Sequence, residues 1–427
     1  MPSIEEQVQL LMRGVVYGDE GVARAMESDL RERLAEGRPL RVYLGIDPTA
    51  PDLTLGHTVP MRKMRQFQRL GHETVLLIGG FTALVGDPSD KESTRPMLTL
   101  EEIEANARTY TDQAFKVLDR ERTIVRNNAE WLSKLTFEEL IKIASHFTVG
   151  QFLQRDNFAK RRDRSEPIYV HEFFYAFMQA YDAVALQTDA QIGATEQLFN
   201  LMAGRTLQRA YGQRPQIAVC MPILVGTDGQ LRMSKTQGNY IALNDPPEEM
   251  YGKVMSLPDN VMLDYFTLVT DVPEEEIEET RRKLAERSVN PMDVKKRLAR
   301  EIVTELHSAE AAEKAEERFV STFQERELPL DMREYDARGL ITLRSPGMSP
   351  QVVLDDKRRY LPRILKEAGL VRSVKEGERL ILQGGVVRVR EGTEMKVTET
   401  LIDVRGGDAF RVGKHQFLRI VDADKPS

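Results

Sequence analysis

The chain has 427 residues, of which 41% are hydrophobic and 30% charged, enough for two or three domains with packed cores. Its formal net charge of −7 excludes a protein coated in basic surface, and no apolar run is long enough to read as a membrane span. A single cysteine, Cys220, excludes an intramolecular disulfide framework; with an opening Met1-Pro2-Ser3-Ile4-Glu5-Glu6 that lacks a signal-peptide pattern, it points to a reducing cytoplasm.

In chain order, apolar runs alternate with helical patterns through the first 225 or so residues. The runs predict strands over Leu40–Asp47, Glu73–Phe81, Thr123–Asn127, Val184–Ile192 and Gln216–Cys220. Helices are expected over Gly56–Leu70, closed by Gly71, over Thr99–Leu118, opened by the capping box Thr99-x-x-Glu102, and over Thr195–Arg209. Strand–helix alternation at this spacing implies an α/β, doubly wound, mostly parallel (Rossmann-like) sheet over residues 1–245. Such sheets bind ligands beyond the C-terminal ends of their strands. Charged helical sequence follows, including Glu274-Glu275-Glu276-Ile277-Glu278-Glu279 and Met292–Leu306, and predicts a helical domain over 246–326. Pro329, Gly339, Pro346, Gly347 and Pro350 mark 327–350 as a linker. The last segment, 351–427, starts with a helix-like Arg358–Gly369, followed by β-like runs at Arg379–Gln383, Val386–Arg390 and Phe417–Val421. From Pro350 onward sixteen Lys/Arg face twelve Asp/Glu, a balance of +4 on a body carrying −11, as expected of a local polyanion-binding module.

Two short stretches carry the chemistry. Thr54-Leu55-Gly56-His57 follows the run Val42-Tyr43-Leu44-Gly45-Ile46 and opens a helix, where backbone N–H groups and the helix dipole favour anions. Arg232-Met233-Ser234-Lys235-Thr236 follows a Thr227-Asp228-Gly229 turn and offers two cationic side chains. Each alone is an ordinary surface loop; both together, at strand ends of a parallel sheet, describe a nucleotide site.

With Tyr43-Leu44-Gly45-Ile46-Asp47-Pro48-Thr49, Gly86-Asp87-Pro88-Ser89, Tyr175 to Asp182 and Gln191 to Gln197, these motifs resemble the bacterial tyrosyl-tRNA synthetases among class I aminoacyl-tRNA synthetases. The resemblance touches almost the whole chain, and 351–427 is similar to the S4-type RNA-binding fold. Departures are Thr54 where the family's first motif usually has His, Ala194 and Glu196 where Gly and Asp are usual, and Arg232 in place of Lys.

The resemblance implies that an amino-acid carboxylate attacks the α-phosphorus of ATP, releases pyrophosphate, and then yields tyrosine to the 3′ end of tRNA(Tyr). A carboxylate is already ionised at neutral pH, so orientation and charge stabilisation replace general-base catalysis. By resemblance, Thr49, Thr54, Gly56, His57, Arg232, Lys235 and Thr236 serve the phosphates, and Lys91 and Arg95 reach the pyrophosphate. Tyr43 and Asp182 would bind the tyrosine phenol, with Asp87, Tyr175 and Gln179 on its ammonium. Gly45, Asp47, Gly193, Glu196 and Gln197 would line the adenosine end and the back of the amino-acid pocket. A phenylalanine in such a pocket leaves two buried polar groups unpaired. ATP is expected as substrate with Mg2+ on its phosphates; the six scattered histidines, without Cys/His ligand spacing, predict no protein-held metal. A homodimer is implied, with helix Leu140–Val149, Phe152 and Leu153 as a candidate face. Three alternatives remain open: tryptophanyl-tRNA synthetase, another nucleotidyltransferase acting on a small carboxylate, and a non-catalytic RNA-binding paralogue.

Overall fold

Helices α1 (Ile4–Met12, capped by Ser3) and α2 (Glu20–Ala35, capped by Asp19) lead into the first strand, β1 (Arg41–Ile46), of a computed structural model. The model describes residues 2–89, 99–321, 332–337, 358–390, 393–413 and 416–422, which divide into units spanning 1–313 and 314–427. In the first unit the order continues α3 (Leu55–Arg69), β2 (Glu73–Ile78), α4 (Leu100–Ala114) and β3 (Thr123–Asn127). Short helices α5 (Ala129–Leu132), α6 (Phe137–Ala144), α7 (Val149–Leu153) and α8 (Asp156–Asp163) then precede the long α9 (Val170–Leu186). After α9 come β4 (Ala190–Ala194), α10 (Leu198–Ala210) and β5 (Ile217–Met221).

The five strands are parallel in the order β3-β2-β1-β4-β5. Val42, Tyr43 and Leu44 of β1 and all of β5 are buried, as helices covering both faces of a parallel sheet require. Connections leave β1 toward β2 and β3 on one side, then return to β4 and β5 on the other. The crevice between β1 and β4 is therefore the switch point of the sheet, where a ligand can enter beyond the strand ends. Register sets Tyr43 beside Gln191 and beside Val75, so Tyr43 looks out at that crevice from the middle of the sheet.

One expected strand is displaced. Val184 and Leu186 lie in α9, which ends on Gln187 in the left-handed conformation (φ 50°), and β4 starts only at Ala190. Helix α9 is buried on nearly every side, so its apolar residues lack the amphipathic period that marks a surface helix and read as a strand. The Thr195–Arg209 helix begins as a 3₁₀ turn at Thr195–Gln197 before α10.

Helices α11 (Pro247–Met255), α12 (Met262–Val269), α13 (Glu274–Ala285) and α14 (Pro291–Leu306) belong to the same unit as the sheet, and α15 (Ala309–Phe319) follows. The reason is electrostatic as well as apolar: buried Arg62 of α3 pairs with Asp271 and Glu305, and Arg69 pairs with Asp271 at 2.8 Å.

In the second unit, residues 332–337 fall inside the expected linker yet contain strand β6 (Arg333–Asp336), which runs parallel to the last strand of the unit. The order continues β7 (Arg358–Tyr360), α16 (Leu361–Glu367), α17 (Val374–Leu382), β8 (Val386–Arg390), β9 (Thr393–Lys396), β10 (Leu401–Asp403), β11 (Ala409–Val412) and β12 (Gln416–Asp422). Arg379–Leu382, expected as a strand, belongs to α17, whose N-terminus Ser373 caps at Glu376 N. The sheet order is β6-β12-β11-β8-β9, and Leu361, Ile364, Ile381, Phe410 and Leu418 build its core. Among the described residues no helix is long and apolar enough to cross a membrane.

Candidate active site

A recess of about 300 Å³ opens at the switch point, lined by Tyr43, Gly45, Asp47, Thr82, Asn128, Tyr175, Gln179, Asp182, Gln191 and Gln197 among others. Its floor is Asp182, on the inner face of α9 and only 3% exposed. The carboxylate accepts from Trp131 Nε1 at 2.7 Å and from Asn128 Nδ2 at 3.2 Å. Burial pushes its pKa up to about 8, against those two donors, which favour the ionised form. Tyr43 is fully buried, and its hydroxyl lies 3.5 Å from the main-chain oxygen of Gln179, not on Asp182. Burial and the Asp182 charge hold the Tyr43 phenol well above its ordinary pKa, so it stays a donor.

Above this floor, Asp47 is a hub. Tyr175 donates to one of its oxygens at 2.8 Å and Thr82 to the other at 2.7 Å, while Asn128 donates to Thr82 at 3.0 Å. A Cβ on Gly79 would stand 1.9 Å from the Asp47 carboxylate, so the close approach of β2's end to Asp47 requires glycine there. Asp87 is held by Gln197 Nε2 at 2.9 Å and by the Ser89 hydroxyl at 2.6 Å, with Asn200 Nδ2 at 3.4 Å. Gln197 Oε1 in turn accepts from Ala194 N at 3.0 Å. The tight packing falls on Gly193, whose added Cβ would meet Gln197 at 2.8 Å, so a methyl at the neighbouring Ala194 is tolerated. Gln179 Oε1 is buried with no partner, an acceptor suited to a cationic ligand.

The phosphate-type motifs lie side by side. Leu55 N donates to Ile241 O at 2.8 Å and Leu243 N to Leu53 O at 3.0 Å, joining the start of α3 to the chain that leaves the 224–239 hairpin. Thr54 N donates to His57 Nδ1 at 3.1 Å, with the Thr54 hydroxyl 2.9 Å from the same nitrogen. A backbone N–H can only donate, so Nδ1 is the acceptor and the neutral ring carries its proton on Nε2. Thr54 is thus buried, with its amide and hydroxyl both directed at His57 Nδ1.

In the hairpin, Lys235 Nζ donates to the Asp52 carbonyl at 2.7 Å and lies 3.9 Å from its carboxylate; partial burial lowers its pKa. Arg232 lies 3.6 Å from Glu196, so two of the sequence departures face each other. Thr236 is exposed at the hairpin's end, and Thr49 N closes a tight turn on Asp47 O at 2.8 Å. Lys91 and Arg95 lie outside the described residues. The hairpin itself hangs on buried Asn239, which donates to Asp228 at 2.7 Å and to Arg232 O at 3.0 Å and accepts from Ser234 N at 2.8 Å.

Asn128, Trp131, Thr82 and Asn239 were not singled out from the sequence. For the first two a signal existed: they follow the C-terminal end of a parallel strand, where ligand-facing residues gather. Among the described residues no group of three His, Cys, Asp or Glu is placed to hold a metal ion.

The family model of the class I tRNA synthetases (W and Y) matches residues 35–324. A tyrosine–tRNA ligase of Thermotoga maritima is 48% identical, over 97% of both chains. One of Moorella thermoacetica is 48% identical over 98% of this chain and 96% of its own. A C-terminally truncated mitochondrial tyrosyl-tRNA synthetase of Aspergillus nidulans shares the fold at 22% identity, with a TM-score of 0.60 over 76% of this chain and 95% of that one. That of Archaeoglobus fulgidus, solved with L-tyrosine, superposes at TM-score 0.58 and 24% identity over 74% of this chain and 100% of its own. Sheet, corner and hairpin therefore define a class I synthetase of the tryptophan and tyrosine type. Within that class, the chain belongs to the bacterial tyrosine–tRNA ligases.

Asn239→Ala should leave Asp228 Oδ2 and the Arg232 carbonyl without this donor, and Ser234 N without its acceptor, and cost on the order of 2 kcal/mol. The denaturation midpoint should fall, and proteolysis should start within 226–236. Unchanged stability with an intact protease pattern would show that Asn239 does not hold the hairpin.

Proposed function

We propose that the chain activates L-tyrosine with ATP in the β1–β4 crevice and transfers it to tRNA(Tyr). The observation that carries this reading is the buried Asp182, presented by Trp131 and Asn128 at the floor of the recess. A phenol O–H donates to that carboxylate, and Tyr43 completes the pocket wall as a donor. An indole N–H also donates but offers no acceptor for Tyr43, and a phenyl ring offers neither a donor for Asp182 nor an acceptor for Tyr43. At the other end of the amino acid, Asp87, Tyr175 and the unpaired Gln179 oxygen suit the ammonium group. The substrate carboxylate then faces the corner, where His57 Nε2–H, the amides at the start of α3 and Lys235 surround the position of the ATP phosphates. Lys91, Arg95 and Arg232 add to that charge, Thr236 offers a hydroxyl donor, and Glu196 with Gly45 and Gly193 serves the ribose and adenine. Mg2+ arrives on the ATP phosphates.

We assign tRNA binding to the second unit with help from the helices after residue 246. Helix α17 and its approach expose Arg372, Lys375 and Arg379, a basic stripe on a module with an apolar core of its own. We further propose a cytoplasmic homodimer. Its contact would use the exposed Ile124 and Val125 of edge strand β3 with Phe137, Ile141, Val149 and Val170. Phe152, expected at that face, is instead buried in the core, and Leu140 packs against the same cluster.

ATP–pyrophosphate exchange should depend on tyrosine and be negligible with phenylalanine or tryptophan. Lys235→Ala should slow it by about 10²–10³, as for loss of one donor to a developing anion, with tyrosine affinity little changed. Exchange driven by tryptophan, or none at all, would overturn the assignment.

Asp182 gives the pH dependence. Tyrosine requires its carboxylate form, so binding releases a proton wherever the free group is protonated. Affinity should therefore rise with pH by up to about tenfold per unit, level off above pH ~8, and do so in equilibrium dialysis. A flat profile between pH 6 and 8 would show that Asp182 does not titrate with binding in that range, and an Asp182→Asn variant with unchanged tyrosine affinity would remove Asp182 from phenol binding.

Replacing Arg372, Lys375 and Arg379 together with alanine should leave exchange intact and weaken tRNA binding. Each lost phosphate contact should reduce the slope of log affinity against log salt by about 0.7–0.9. An unaltered slope would move the RNA contact elsewhere.

A further inference from the structure

Helix α4 turns one polar stripe toward the segment that follows β1. Asn106 Nδ2 donates to Pro48 O at 3.0 Å, Thr109 Oγ1 to Pro51 O at 2.7 Å, and Gln113 Nε2 to Pro51 O at 3.0 Å. Lys116, just past the helix, donates to Leu243 O at 2.7 Å, on the chain leaving the hairpin. Spacings of three, four and three residues keep these four side chains on one helical face. Segment 48–53 is neither helix nor regular strand and contains two prolines, so its main-chain groups depend on partners from outside.

Gln113 is the centre of this stripe and is only 4% exposed. While its Nε2 holds Pro51 O, its Oε1 accepts from Leu53 N at 2.8 Å, so one side-chain amide brackets Asp52 from both sides. The N–H of Leu53 and the C=O of Asp52 are opposite ends of a single planar peptide group. Gln113 takes the first, and Lys235 Nζ donates to the second at 2.7 Å. A rigid plane thus joins the amide to the ammonium, and a rotation of one end redirects the other.

We propose that Gln113 is a positioning residue for Lys235: by fixing the Asp52–Leu53 peptide it sets where the lysine's ammonium stands beside the corner. The inference rests on the reading of Lys235 as a phosphate-facing group in tyrosine activation. It makes the polar stripe of α4 part of the adenylation machinery, although none of its residues lines the recess.

The test is a double-mutant cycle in tyrosine-dependent ATP–pyrophosphate exchange. Gln113→Met keeps the side-chain length and removes the hydrogen bonds to Pro51 O and Leu53 N, together with that to Thr109 O within the helix; it should lower kcat about tenfold and leave KM for tyrosine within about twofold. In a Lys235→Ala background the same change should cost less than about twofold, because the group it positions is already gone. Thr109→Val, at an exposed site, removes one donor to Pro51 and should show the same pattern at about two- to threefold, should Gln113→Met fold poorly. Equal losses with and without Lys235, or a matching rise in KM for tyrosine, would reduce α4 to a stabilising element and overturn the proposal. Wild-type protein without tyrosine-dependent exchange would instead overturn the parent reading, and the proposal with it.

Discussion

A short antiparallel pairing between Leu53–Leu55 and Ile241–Leu243 holds the active-site region together, since it ties two motifs that lie far apart in the chain. Both motif-bearing segments hang from it. The start of α3 supplies Thr54, Gly56 and His57 on one side; the hairpin with Arg232 and Lys235 leaves from the other. Main-chain hydrogen bonds of this kind fix position without consuming side chains, so the side chains remain available for chemistry. Lys116 binds Leu243 O and Gln113 binds Leu53 N, so both strands of the pairing are fastened from outside by the α4 region.

Below the corner, the site holds three carboxylates, two half-buried and one fully buried, and each is controlled differently. Asp87 is half-buried and held by amides and a hydroxyl. Asp47 accepts from two hydroxyls, Tyr175 and Thr82. Asp182 is deepest, and there burial outweighs two N–H donors and lifts the pKa to about 8. Graded burial sorts ligand groups: a full positive charge is best matched where water still screens the partner, a neutral phenol where it does not.

Much of this was legible in the sequence, for reasons that differ by element. Strands β1, β2, β3 and β5 announced themselves as short apolar runs between helical patterns; the Thr54–His57 motif sat at a strand–helix joint, and Arg232–Thr236 followed a turn in the polar segment after β5. Strand β4 was misplaced because α9 is buried on nearly all sides, and periodicity cannot distinguish such a helix from a strand. Asn128 and Trp131 carried only the general signal of lying just past a parallel strand, while Asn239 and Gln113 carried none, because each acts by a hydrogen bond to a residue distant in sequence or to a backbone atom. The Glu196 and Arg232 departures looked unrelated, and only the fold brings them within 3.6 Å.

The two donors beneath Asp182 come from neighbouring turns of the chain, Asn128 at the end of β3 and Trp131 in α5. An attempt to reprogram this pocket for an apolar or etherified aromatic amino acid would begin by removing Asp182. Doing so alone takes the acceptor from the Trp131 indole N–H and from one N–H of the buried Asn128 amide, whose other bond goes to Thr82, at a cost of about 1–3 kcal/mol each, and invites water into the vacated corner. The minimal unit of redesign is therefore a triad of positions, 128, 131 and 182, exchanged together. A library varying only the wall that touches the ligand would return variants that bind the new side chain poorly and fold less well than the parent.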